Sequence, residues 1–122
     1  MPKSFSHADF NTLDKTTVAE INKLATLKGG EYAGDVDRLA NFRRNGAALD
    51  LPMLTVWAVY AAKHWDAIQQ YIVDERKSVT RERLESITGR ADDMIVYLLL
   101  FKAMVLERNS PESRSPQLRT ED

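Results

Sequence analysis

The sequence predicts an all-α fold, a small bundle of about four helices. Three observations carry this. Apolar residues recur at helical spacings along several segments. No segment shows the strict alternation of a half-buried strand. Residues that start or stop helices punctuate the chain between those segments, at Thr17, Gly29 and Gly30, Asp35, Asn45 and Gly46, and Pro52.

The elements follow in order. The first dozen residues are polar and expected to be loose. A first helix is expected over 17–27. Thr17 and Glu20 make a capping-box pattern, and Val18, Ile21, Leu24 and Ala25 share one face. Gly29 and Gly30 are expected to end it. A short second helix is expected from Asp35 to Arg44, with Leu39 and Phe42 pointing inward and Asn45–Gly46 as its stop. Pro52 suits the first turn of a third helix, over 52–73. Its apolar positions include Val56, Trp57, Tyr60, Ala61, His64, Ile68 and Ile72. The charged run DERKSVTRERL follows, as a loop or as the frayed start of the last helix. That last helix is expected over 86–107. Ile87, Ala91, Met94, Ile95, Leu98 and Val105 make one face, and Leu99, Leu100 and Phe101 widen it. So broad an apolar surface predicts a central helix or an oligomer contact. Residues 1–108 are expected to form one domain, and 109–122, rich in Pro and Ser, a polar and mobile tail.

Composition narrows the classes. The chain has 122 residues, 43% hydrophobic and 29% charged, as in an ordinary globular domain. A net charge of -1 argues against a nucleic-acid binder that relies on bulk charge. The absence of cysteine excludes disulfides, thiolate chemistry and Cys-ligated zinc. An intracellular, cytoplasmic home is the expectation. No apolar run is long enough to span a membrane, and the N-terminus lacks the apolar core of a signal peptide, so no membrane partner is expected.

Three stretches carry candidate chemistry. The first, KGGEYAGDVDRLANF, crowds glycines, acids and bases between two helices. Asp35 can cap the second helix, and Asp37 can complement its dipole. An EF-hand fails for want of the turn Gly and closing Glu, and a Walker loop fails on glycine spacing. Lys28, Tyr32, Asn41 and Arg43 could hold a phosphate, a base and a sugar. The second stretch is YAAKHWDAI. Lys63 and Asp66 can pair across one turn, whereas His64 and Trp65 suit a core or an interface. A cation midway along a buried helix needs a partner or a ligand. The third is ESITGRADDMIVYLLL. Ser86, Arg90, Asp93 and Tyr97 fall along one flank of the helix, and Gly89 suggests close approach by another chain or a ligand. Arg90 and Asp93 can also pair with each other. With only His7 and His64 available, no catalytic triad or His-rich metal site is expected. Carboxylate-bound Mg²⁺ is the metal chemistry with ligands, drawn from Glu31, Asp35, Asp37, Glu85, Asp92 and Asp93.

These stretches in this order resemble a group of small phage and prophage proteins similar to the nucleotide modification associated domain 1 family. The resemblance covers roughly residues 22–102. It rests on Lys28, Tyr32, Gly34 and Asp35, on Ala40-Asn41-Phe42-Arg43, on Lys63, His64 and Asp66, and on Glu85, Ile87, Gly89, Arg90, Asp93 and Tyr97. In helical layout it also resembles the all-α nucleoside triphosphate pyrophosphohydrolases of the MazG kind. Those place Glu-x-x-Glu on one helix and Glu-x-x-Asp on the next, and hold Mg²⁺ against a triphosphate. Here Asp93 matches the final Asp, Arg90 stands at the preceding acid position, and the third helix offers Lys63 and Asp66. A cation in place of a carboxylate repels Mg²⁺ and favours phosphate.

The resemblance implies a phage-type nucleotide-binding protein of (deoxy)nucleotide metabolism or modification. Lys28, Lys63 and Arg90 would meet phosphate, with Arg43 nearby. Tyr32 and Phe42 would wall the base, and Asn41 would read a polar edge. Asp35, Glu85 and Asp93 would hold the metal. In a hydrolase, Glu31 or Asp35 would be catalytic. Lys28, Asp35, Lys63, Arg90 and Asp93 are expected to converge, leaving a local surplus of positive charge. The alternative is a non-enzymatic oligomeric protein that binds a host or phage protein through MIVYLLLFKAMVL and Trp57 or Trp65. A small DNA-associated protein using RKSVTRER is a third reading, for which a solvated loop is the simpler account. Self-association through the third or last helix is expected, because the chain is small and carries more apolar helical surface than one layer covers.

Overall fold

The computed structural model describes residues 4–32 and 37–111, with backbone alone at 25 and 27–32. Its elements are α1 (His7–Tyr32), α2 (Ala40–Leu49), α3 (Met53–Arg76) and α4 (Ile87–Arg108). Among the described residues there is no strand, and the fold is all-α as expected. From residue 112 onward the expected tail lies outside the described residues.

The first helix begins ten residues earlier than Thr17. Ser6 and Asp9 exchange bonds: the Asp9 N–H donates to Ser6 Oγ at 3.0 Å, and the Ser6 N–H donates to Asp9 Oδ2 at 3.0 Å. This is a capping box, and it satisfies orphan donors that would otherwise fray the turn. Thr17 and Glu20 therefore lie inside the helix. The Gly29–Gly30 pair does not end it either, for α1 runs on to Tyr32. Helical glycine costs about 1 kcal/mol relative to Ala, which penalises a helix without stopping it. α1 is anchored on α4 around buried Ile21 and half-buried Leu24. Upstream, Phe10, Leu13 and Val18 are exposed.

The second helix starts and ends later than expected. Asp37 precedes it, accepting from the Leu39 N–H at 3.0 Å in an Asx turn. Asp35 lies outside the described residues. Asn45 and Gly46 sit within α2, which stops at Asp50 in the left-handed conformation, φ 55°. The Leu51 N–H reaches Gly46 O at 2.8 Å and the Asp50 N–H reaches Ala47 O at 3.4 Å, the two bonds of a Schellman motif. Gly46 is required for that return: a Cβ there would meet Leu51 O at 2.7 Å. Asn45 donates to Tyr60 Oη at 2.7 Å, tying α2 to α3.

Leu39, Phe42, Val56 and Met104 form the core, with Met53, Leu54, Trp57, Tyr60, Tyr97 and Leu100 packed around it. The Phe42 ring lies 5.8 Å from that of Tyr60 and meets Tyr97 edge-on at 6.3 Å. Trp57 Nε1 donates to Tyr97 O at 2.7 Å, fastening α3 to α4. Of the apolar positions expected on α3, Val56, Ala61 and His64 are buried, and Ile72 is exposed.

The charged run resolves into the end of α3 and a clamped loop. Asp74, 3% exposed, accepts from Arg81 Nε at 2.8 Å, Arg83 Nη2 at 2.7 Å and Gln70 Nε2 at 2.8 Å. The loop then delivers Ser86, whose Oγ accepts from the Gly89 N–H at 3.0 Å and caps α4.

α4 is central, packing on both α3 and α1. Its buried residues are Asp93, Val96 and Met104. Of the apolar face expected on this helix, Ala91, Ile95 and Leu98 are exposed, and Ile87, Met94 and Val105 are half-buried. The inward side is the flank that carries Arg90, Asp93 and Tyr97.

Candidate functional site

Two helices bring a polar cluster together at the start of α4. His64 is buried on α3, where Tyr60, Ala61 and Ile68 keep it on the side that packs against α4. Its ring lies 5.0 Å from that of Tyr97. Arg90 Nη1 approaches His64 Nδ1 at 3.2 Å. A guanidinium can only donate, so this contact is a hydrogen bond in the tautomer whose Nδ1 carries no proton. Asp93, also buried, brings Oδ2 to 3.6 Å from the same Nδ1. On its other edge, Arg90 Nε lies 3.4 Å from Glu85 Oε2. Arg90 is thus oriented between α3 and the loop that feeds α4.

Beside this cluster lies an open groove of about 310 Å³ between α1 and the start of α4, lined by Glu20, Leu24, Glu85, Ser86, Gly89, Asp92 and Asp93. Gly89 shapes its wall: a Cβ there would meet Ser86 Oγ at 2.9 Å. The reason for glycine is therefore local, and it concerns the cap. Four carboxylates face this groove, and Arg90 approaches it through its contact with Glu85. The positive surplus expected from sequence includes the Lys28 side chain and Asp35, which lie outside the described residues. Among the described residues no three His, Asp or Glu side chains gather closely enough to enclose a metal ion. Mg²⁺ is commonly held by one or two protein carboxylates plus water and phosphate, so the donor chemistry of Glu85 and Asp93 fits it.

The remaining expected site residues divide. Arg90 and Asp93 both reach His64, and Glu85 lies against Arg90. Lys28, Glu31 and Tyr32 stand in the last turns of α1 with side chains outside the described residues, as is Asp35 entirely. Lys63 is exposed. It sits about 100° around α3 from His64, which takes the inward position. Asn41 is half-buried on α2. Phe42 is a core residue, 2% exposed, and cannot stack a base. Arg43 bridges α2 to α4: Nε donates to Asp37 Oδ2 at 2.6 Å and Nη1 to Glu107 Oε1 at 2.8 Å. These two carboxylates hold its pKa well above the ordinary arginine value, and Arg43 in turn holds Asp37 below the usual carboxylate range. Glu107 and Arg90 stand at opposite ends of α4, about 25 Å apart along its axis, too far for one mononucleotide.

Sequence reading missed three contributors. His64 was assigned to a core or an interface, because one histidine on an apolar stripe carries no ligand signal. Glu20 was read as a capping partner, and Asp92 only as one of six acids that could hold Mg²⁺. Compared with protein families, with curated proteins and with solved structures, the chain matches none of them.

Proposed function

We propose that this chain binds a nucleotide or nucleoside phosphate as its Mg²⁺ complex, in the groove between α1 and α4, and serves (deoxy)nucleotide metabolism or modification. The observation that carries this reading is the pairing of an acidic groove with one oriented arginine. A bare polyphosphate is repelled by Glu20, Glu85, Asp92 and Asp93. A metal-bound one is not, since Mg²⁺ takes carboxylate and phosphate oxygens together. Arg90, presented by His64 and Glu85, then meets a phosphate oxygen through its planar fork. Glu85 and Asp93 are the residues that would hold the metal, which supplies charge neutralisation when bound. The N-terminal end of α4 points its dipole toward the same place. Lys28 and Tyr32 belong to this reading through the resemblance to phage nucleotide-modification proteins, as do Glu31 and Asp35 for a magnesium-dependent hydrolysis. Arg43 and Phe42 do not.

A thermal-shift screen of nucleoside mono-, di- and triphosphates, with and without Mg²⁺, tests it. Binding at a hundred times the dissociation constant stabilises by about 2.7 kcal/mol. The expected outcome is a rise in midpoint that needs both nucleotide and Mg²⁺ and is lost in Arg90→Ala, with the variant still folded. No shift with any nucleotide would hand the chain to the alternative, a non-enzymatic interaction protein.

A further inference from the structure

The outward face of α4 carries Ile87, Ala91, Met94, Leu98, Phe101 and Val105. Their steps alternate between four and three residues, the spacing of a coiled-coil seam. A row of α3 repeats it: Leu54, Ala58, Ala61, Trp65, Ile68 and Ile72, with Ala61 buried and Leu54 packed against the core at the margin of the face. The two helices run antiparallel, since Trp57 meets Phe101 while His64 meets Arg90 and Tyr97. At about 100° per residue, each row is rotated by roughly 80° from the residues that join the helices, His64 on α3 and Tyr97 on α4. The rotation has the same sense in both. In an antiparallel pair this puts both rows on one side, away from buried Val56 and Val96, which lie toward α2 and α1.

Neither row contains a charged residue. Trp65 is 49% exposed, Ile72 55%, Leu98 53% and Phe101 40%. At roughly 200 Å² per large side chain, these four leave on the order of 400 Å² bare. Flanking Ile95 and Leu99, with the half-buried members of each row, bring the face to the order of 800 Å², the share of one partner in a standard interface.

We propose that this face docks a second copy of the chain, two α3–α4 pairs closing a four-helix seam about a two-fold axis. The occupant follows from the surface. A seam of coiled-coil period on two antiparallel helices is matched by another pair of the same period and length. Large residues (Trp65, Leu98, Phe101) and small exposed ones (Ala58, Ala91) lie on the same face, so it supplies both knobs and holes for its own copy. The proposal stands independently of nucleotide binding.

Sedimentation of the full chain at micromolar concentration tests it. The wild type is expected to run as a dimer, with a thermal midpoint that rises with protein concentration. Leu98→Glu and Trp65→Glu should each weaken the dimer by at least about a hundredfold. Val59→Glu is the control: Val59 is 62% exposed on the same helix as Trp65 but on its far side, and the dimer should persist. A monomeric wild type would overturn the proposal. So would a dimer that survives both seam variants, or one lost on Val59→Glu. Should a seam variant fail to fold by far-UV circular dichroism, the concentration dependence of the wild-type midpoint decides.

Discussion

Two charge clusters flank the turn between α3 and α4, and they are built on opposite plans. At the end of α3, one buried acid, Asp74, takes Arg81, Arg83 and Gln70. At the start of α4, four acids line a groove that Arg90 approaches through its contact with Glu85. The first cluster matches each acceptor with a donor inside the chain, and its product is a fixed loop. The second gathers like charge at an open surface: Glu85 meets Arg90 and Asp93 meets His64, and the like charges that remain close together cost stability. That contrast is what motivates the proposal of a binding site at the start of α4. The clusters are coupled in space: the loop fixed by Asp74 sets where Glu85 and Ser86 stand.

The largest expected effect comes from breaking the closed cluster. Asp74→Asn leaves Arg81 and Arg83 without their charged acceptor and releases the loop. The thermal midpoint should drop on the order of 10 °C in scanning calorimetry. Acid should do the same work by protonation. The hydrogen bond from Arg81, with help from Gln70 and both arginine charges, lowers the Asp74 pKa from 3.8 to about 2. A depressed folded-state pKa gives stability that is fully present above the unfolded value and lost as pH falls through the folded one. Midpoints measured from pH 5 downward should therefore fall between about 4 and 2, and Asp74→Asn should flatten that part of the profile.

Smaller effects sharpen the contrast. Arg43→Ala removes a half-exposed bridge to Asp37 and Glu107 and should cost only about 0.5–1 kcal/mol in urea denaturation. It should leave any nucleotide binding unchanged, because Arg43 serves the other end of α4. The smallest effect has the opposite sign. Asp92→Asn removes one of several like charges and should stabilise the chain by a few tenths of a kcal/mol while weakening the Mg²⁺-dependent ligand response. A loss of stability on that substitution would class the groove with the Asp74 cluster.

The sequence carried the helical class and the span of α3 and α4 well, because long periodic segments with caps at Pro52 and Ser86 leave little freedom. It misplaced the ends of α1 and α2 because local signals competed. Ser6 with Asp9 caps earlier than Thr17 with Glu20, and both patterns look alike on paper. Gly46 resembles a stop signal, yet it serves a backbone return that only contact with Leu51 reveals. The wide apolar face of α4 was legible, and its direction was not. Periodicity shows that a face is apolar, and only packing shows whether the monomer covers it. Of the candidate site, Arg90 and Asp93 were legible as neighbours on one flank of the last helix. His64 and Glu20 join from other helices, and no spacing along one chain segment encodes that.

The groove is proposed to take a metal–nucleotide complex. Isothermal titration of a nucleoside triphosphate into the wild type and into Glu85→Gln/Asp93→Asn, each with and without Mg²⁺, measures it directly. The expected result is saturable binding by the wild type only when Mg²⁺ is present, reduced at least about tenfold in the double variant, a loss of about 1.4 kcal/mol. Binding that ignores Mg²⁺, or that survives the double substitution unchanged, would contradict the account.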